Sequence, residues 1–67
     1  MIIKMFPSQI FGLTSRGTVI HPVKEKLPLG LCTCRAEGMP DVEAVVVGHA
    51  NLCGILYAKI EIRTATV

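Results

Sequence analysis

The sequence has no tryptophan, one tyrosine and two phenylalanines in 67 residues. A small β module that binds nucleic acid stacks bases on several exposed rings beside cations, and only Phe6, Phe11 and Tyr57 are available for that. Charge is scarce as well: Asp, Glu, Lys and Arg together make up 18% of the chain. So low a share, beside so much apolar content, argues against a disordered tail. No window keeps a 3.6-residue apolar stripe for ten residues, which excludes a coiled coil. No run of 18 apolar residues occurs. The richest stretch, 42–56, is interrupted by Glu43, His49 and Asn51, so no bilayer-spanning segment is expected. Internal repeats and low-complexity tracts are absent. Neither Gly12 with Gly17 nor Gly48 with Gly54 has the spacing, the following Lys-Ser/Thr or the helix start of a phosphate loop. The start does not read as a secretory signal, because Lys4 follows Ile2 and Ile3 and then Pro7 and Ser8 end the apolar run. Three cysteines cannot form a complete set of intrachain disulfides. The expected setting is the cytoplasm or the interior of an assembled particle, with reduced thiols.

What is present is apolar and β-branched. Hydrophobic residues make up 51% of the chain, and the mean hydropathy is +0.54. A domain of this length buries only about 60% of the surface its unfolded chain exposes. Part of the apolar content must therefore lie outside, where it meets a partner or becomes a liability. The net charge of +2 is spread along the chain. Its one local cluster, Lys24-Glu25-Lys26, carries its own acid, so attraction to phosphate is modest and easily screened.

Val, Ile and Thr recur throughout, stiff at χ1 and suited to a pleated surface. The clearest strand follows Gly54. Leu56, Ala58, Ile60 and Ile62 share one face, and Tyr57, Lys59, Glu61 and Arg63 share the other. Val42 to His49 is a second strand. Its continuous Val45-Val46-Val47 suits a position covered on both faces, by closure of a barrel or by another subunit. Gly48 to Gly54 then reads as the connecting loop. Leu27 to Cys34 is a third strand, with Leu27, Leu29, Leu31 and Thr33 on one face and Pro28 at an edge. Residues 10–14 and 18–21 read as a hairpin around Ser15-Arg16-Gly17. Met1 to Phe6 reads as a further strand. The pattern predicts an all-β single domain over 1–67, a small barrel or sandwich of five to six short, mostly antiparallel strands, SH3-like or OB-like in architecture.

Two constellations could carry chemistry. Cys32-x-Cys34 with His49-x3-Cys53 offers four ligands for a structural zinc ion, a staple that would help a small domain. Two same-face strand positions lie about 6.5–7 Å apart, wider than the sulfurs around one zinc, so the strand would have to kink at Thr33. Buried thiols acting as small hydrophobes are the plainer reading. Cys53 with His49 could also form a thiol–imidazole nucleophile, but no third group orients the base and no oxyanion hole is evident. His21, ahead of Pro22, reads as an exposed loop residue.

These readings lead to a non-catalytic structural protein that associates with itself or with a larger protein assembly, with no cofactor. The contacts expected are an apolar arm at 1–6, through Met1, Ile2, Ile3, Met5 and Phe6, and the valine strand, through Val45, Val46 and Val47. The apolar end Ala65-Thr66-Val67 fits the same picture. In size and composition the chain is similar to the small accessory or cement subunits of virus and phage particles and to small ring-forming barrels. The alternative is a zinc-stapled β module, held by Cys32, Cys34, His49 and Cys53, that binds nucleic acid or protein.

Overall fold

The computed structural model describes residues 1–63. The apolar end at 65–67 lies outside the described residues. The elements are β1 (Ile2–Lys4), α1 (Pro7–Arg16), β2 (Thr18–Pro22), β3 (Gly30–Arg35), β4 (Val42–Leu52) and β5 (Ile55–Ile62). The strands form one mixed sheet in the order β1-β3-β4-β5-β2, curled into half a barrel. Only β1 and β3 run parallel; the other pairs are antiparallel. The strand-rich, mostly antiparallel character matches the sequence pattern. The sheet does not close, and β1 and β2 are left as its two edges.

The hairpin expected over 10–21 is instead a helix running into a strand. Pro7 opens α1, where its fixed φ favours the helix and its missing N–H is no loss. The Phe6 N–H donates to Gln9 Oε1 at 2.8 Å, which satisfies one donor at the helix start. Gly17, at φ 79°, ends the helix in the left-handed conformation and donates its N–H to the Leu13 carbonyl at 2.7 Å. The left-handed glycine is where the sequence implies it, but it terminates a helix and does not turn a hairpin. Only Ile10 and Leu13 of the helix are buried, a stripe one turn long and too short to stand out as periodicity.

α1 packs on the concave side of the sheet. In the register, Ile3 aligns with Cys34 and Val42, Cys32 with Ala44 and Ile62, and Val46 with Ile60 and Val19. With Ile10 and Leu13 these rows make one contiguous core. Burial of each large aliphatic chain here contributes about 1.5–3 kcal/mol. The third strand turns its cysteine face inward, in keeping with the reading of Cys32 and Cys34 as buried thiols. Cys32 and Cys34 point into the core, while Leu31 stands outside.

The free arm at 1–6 is also corrected. The Met5 N–H donates to the Arg35 carbonyl at 2.7 Å, and the Thr33 N–H to the Met1 carbonyl at 2.8 Å. Ile3 and Met5 are only 6% and 8% exposed. This segment completes the chain's own sheet and core. The loop expected over 48–54 is mostly strand as well. β4 runs on to Leu52, which pairs with Ile55, and Cys53-Gly54 alone make the turn. Both turn residues have positive φ, 52° and 80°, as in a type I′ turn.

Candidate functional site: the convex face of the sheet

The register that buries one face sets out the other as rows. Ile2, Thr33 and Glu43 align across β1, β3 and β4. Leu31, Val45, Glu61 and Thr18 form the next row across β3, β4, β5 and β2, and Lys59 and Ile20 form the one after. Alternation along β4 puts Val45 and Val47 on this face and Val46 on the other, and the shift in pairing between Val46 and Gly48 sets Gly48 opposite the outward Lys59. Val46 is 1% exposed, whereas Val47 is 42% exposed. The continuous valine run thus splits into one core residue and two that face away from the helix.

No element among the described residues covers this convex face. Leu31 is 64% exposed, Ile2 52% and Ile20 47%. Scattered surface leucines need no explanation, but Leu31 and the half-buried Val45 align on adjacent strands beside the exposed Val47, with Ile2 and Ile20 toward the two edges, and together they form an apolar strip crossed on β5 by Lys59 and Glu61. Charges flank the patch with both signs present. Arg63 Nη1 lies 3.6 Å from Glu43 Oε2, and the Arg63 N–H donates to the Glu43 carbonyl at 3.0 Å. Lys59 and Glu61 alternate along β5, as the sequence pattern implies.

The sheet edges are poorer contact surfaces than the sequence suggests. β1 is three residues long and ends on a lysine. On β2, the Ile62 N–H donates to Gly17 and the Val23 N–H to Leu56, so the odd-numbered residues face β5. By alternation the backbone N–H and C=O groups of Thr18, Ile20 and Pro22 point to the free edge, where Pro22 has no N–H to offer.

No protein family, curated protein or solved structure matches this chain. Its function must be argued from its own residues.

The structure separates the four proposed metal ligands. Cys32 and Cys34 are buried neighbours on β3, and Cys53 is exposed at the tip of the β4–β5 hairpin. Cys32 aligns with Ala44 on β4, and His49 lies five residues further along that strand. At about 3.3 Å per residue His49 is on the order of 15 Å from the Cys32 row and the hairpin tip farther still. Among the described residues no group of three or more His, Cys, Asp or Glu is placed to hold one ion. The same spacing parts His49 from Cys53. His49 aligns with Ala58, and its Nε2 accepts the Leu27 N–H at 3.0 Å, which ties the 23–29 loop to the hairpin.

The thiols behave as packing groups. Burial raises the Cys34 pKa to about 12, reinforced by the neighbouring Cys32. Burial raises Cys32 as well. Neither supplies a thiolate near neutral pH. His21, read from sequence as an exposed loop residue, is half-buried on β2 and aligned with Ala58. Its Nδ1 lies 3.2 Å from Gln9 Nε2, and burial lowers its pKa. At the far end of β3, Arg35 grips Asp41 through two bonds of 3.1 and 3.0 Å and closes the 36–41 turn. Those bonds hold the Asp41 carboxyl below its ordinary pKa. No helix among the described residues is long and apolar enough to cross a membrane.

Proposed function

We propose that this protein is a non-catalytic structural protein that works by association, and that its working surface is the convex face of the sheet. The observation that carries the reading is the uncovered apolar strip of Ile2, Ile20, Leu31, Val45 and Val47, set among balanced charges. A small domain gains by burying such a strip against protein, because each apolar chain removed from water contributes at about 25 cal/mol per Å². Within the terminal segment Ile3 and Met5 belong to the chain's own core, so it contributes to this surface through the exposed Ile2 and not as a free arm. The role is that of a small subunit within a larger assembly, in which buried area is the contribution.

A photo-crosslinking residue placed at Leu31 tests this in the cell that expresses the protein. Leu31 lies at the centre of the strip, whereas the exposed Glu37 lies in the turn after β3. The expected result is a covalent protein adduct from position 31 and none from position 37. No adduct from 31, or equal adducts from both, overturns the reading.

A further inference from the structure

We infer that the convex face is covered by a second copy of this chain, packed face to face about a two-fold axis that crosses the strands at the Val46–Ile60–Val19 row. This rests on the reading of the convex face as the working surface and adds its occupant.

The argument is one of self-complementarity along the register. Val46, Ile60 and Val19 align with one another and point inward. One step to either side, the outward residues are Glu61 and Lys59 on β5, Val45 and Val47 on β4, and Thr18 and Ile20 on β2. A two-fold axis lying between the faces and perpendicular to the strands exchanges the two sides of that row. Glu61 then meets Lys59 of the second copy, and Lys59 meets Glu61 of the second copy. Val45 meets Val47 of the second copy, and Thr18 meets Ile20 of the second copy. Leu31, beside Val45 and exposed in the single chain, lies at the margin of the contact. Within these rows each apolar chain meets an apolar or methyl-bearing one, and Glu61 and Lys59 meet their opposites, while Ile2, level with Glu43, lies beyond the contact. Twisted sheets pack with strands about 30° apart, so β4 and β5, nearest the axis, hold the closest pairs.

The charges also select the direction. A two-fold axis running along β5 instead sets Lys59 over Lys59 and Glu61 over Glu61. Like charges brought together at an interface oppose the wrong arrangement strongly. Glu43 and Arg63 lie one row beyond the contact and neutralise each other within one chain.

The test uses the purified, reduced full-length chain in sedimentation velocity across a concentration series, with Lys59→Glu and Glu61→Lys as variants. Both positions are exposed, and far-UV circular dichroism checks that the fold is kept. The wild type is expected to dimerise. Each variant alone faces like charges twice and is expected to weaken the dimer by about tenfold or more. An equimolar mixture of the two variants restores both opposite-charge pairs and recovers a heterodimer. The doubly exchanged chain, Lys59→Glu with Glu61→Lys, recovers a homodimer by itself. A wild type that stays monomeric into the millimolar range overturns the inference, as does a mixture that fails to recover the dimer. The two ideas fail separately. A dimer lost on Leu31→Glu but not rescued by the charge exchange leaves the face and removes this arrangement. A position-31 adduct to a different protein leaves the working surface and removes the second copy. A dimer that ignores Leu31→Glu removes both.

Discussion

Cys53 is the one non-glycine residue with positive φ among the described residues, at 52°. With Gly54 at 80° it makes a two-residue connection between the paired Leu52 and Ile55. The type I′ geometry matches the twist of the strands, and its preferred pair is Asn-Gly. A left-handed conformation costs an ordinary L-residue roughly 1–2 kcal/mol, and asparagine recovers part of that through its short polar side chain. Cys53 is exposed, so replacing it removes no core packing. Cys53→Asn should therefore stabilise the fold by about 0.5–1 kcal/mol. For a domain of this size each kcal/mol moves Tm by roughly 4–8 °C, so the expected rise is about 2–8 °C. Cys53→Val should shift Tm the other way, because a β-branched chain is disfavoured at positive φ. The assay is thermal unfolding followed by far-UV circular dichroism under reducing conditions. A Cys53→Asn chain that melts at or below the wild type, beside a neutral Cys53→Val, would refute the strain argument.

Other perturbations separate the same physical terms. Gly12 sits inside α1 with open space where a Cβ would go. Gly12→Ala should raise stability by about 0.5–1 kcal/mol in urea titration, since glycine is disfavoured in a helix interior. Removing residues 1–6 should abolish the fold and not merely weaken association. It deletes β1 with the buried Ile3 and Met5, and truncating such a side chain alone costs about 2–5 kcal/mol; a truncated chain with native amide dispersion by NMR would contradict this. Burial holds the His21 pKa below 6.5, so the folded chain binds fewer protons than the unfolded one at mildly acidic pH. The stability this confers is complete above pH 6.5 and falls as pH drops through the lowered value. Urea midpoints should decline from pH 7 towards about pH 5, and the decline should shrink in His21→Gln; an equal decline in both chains would contradict the assignment.

Parts of this fold are plain in the sequence, and others are hidden for identifiable reasons. β5 is legible because it is half-buried with a strict two-residue alternation from Leu56 to Arg63. The helix is hidden because only Ile10 and Leu13 anchor it. Its boundary residues, Pro7 and Gly17, fit a helix start and stop, but they serve equally as the chain break and hairpin turn that the sequence suggests there. The burial of Cys32 and Cys34 is legible from the readiness of free thiols to pack as small hydrophobes, whereas the same-face grouping of Leu29 and Leu31 does not say that this face is the exposed one. The valine run is ambiguous because three consecutive apolar residues do not say which face is covered, and here Val46 alone is buried while Val45 and Val47 face away from the core. Surplus apolar surface was foreseeable from size and composition. Its place on the convex face depends on where α1 packs, and strand patterns do not specify that. The Cys and His constellation is kept apart because β4 extends to Leu52, which leaves Cys53 at the hairpin tip, far from Cys32 and Cys34.

The central claim is that the apolar strip on the convex face drives association. The most direct measurement is a native mass spectrum of the reduced full-length chain beside the Leu31→Glu/Val47→Glu variant, both positions being exposed in the single chain. The account predicts a discrete multiple of the 7.2 kDa mass for the wild type and a folded monomer for the variant. Identical mass distributions for the two chains would contradict it.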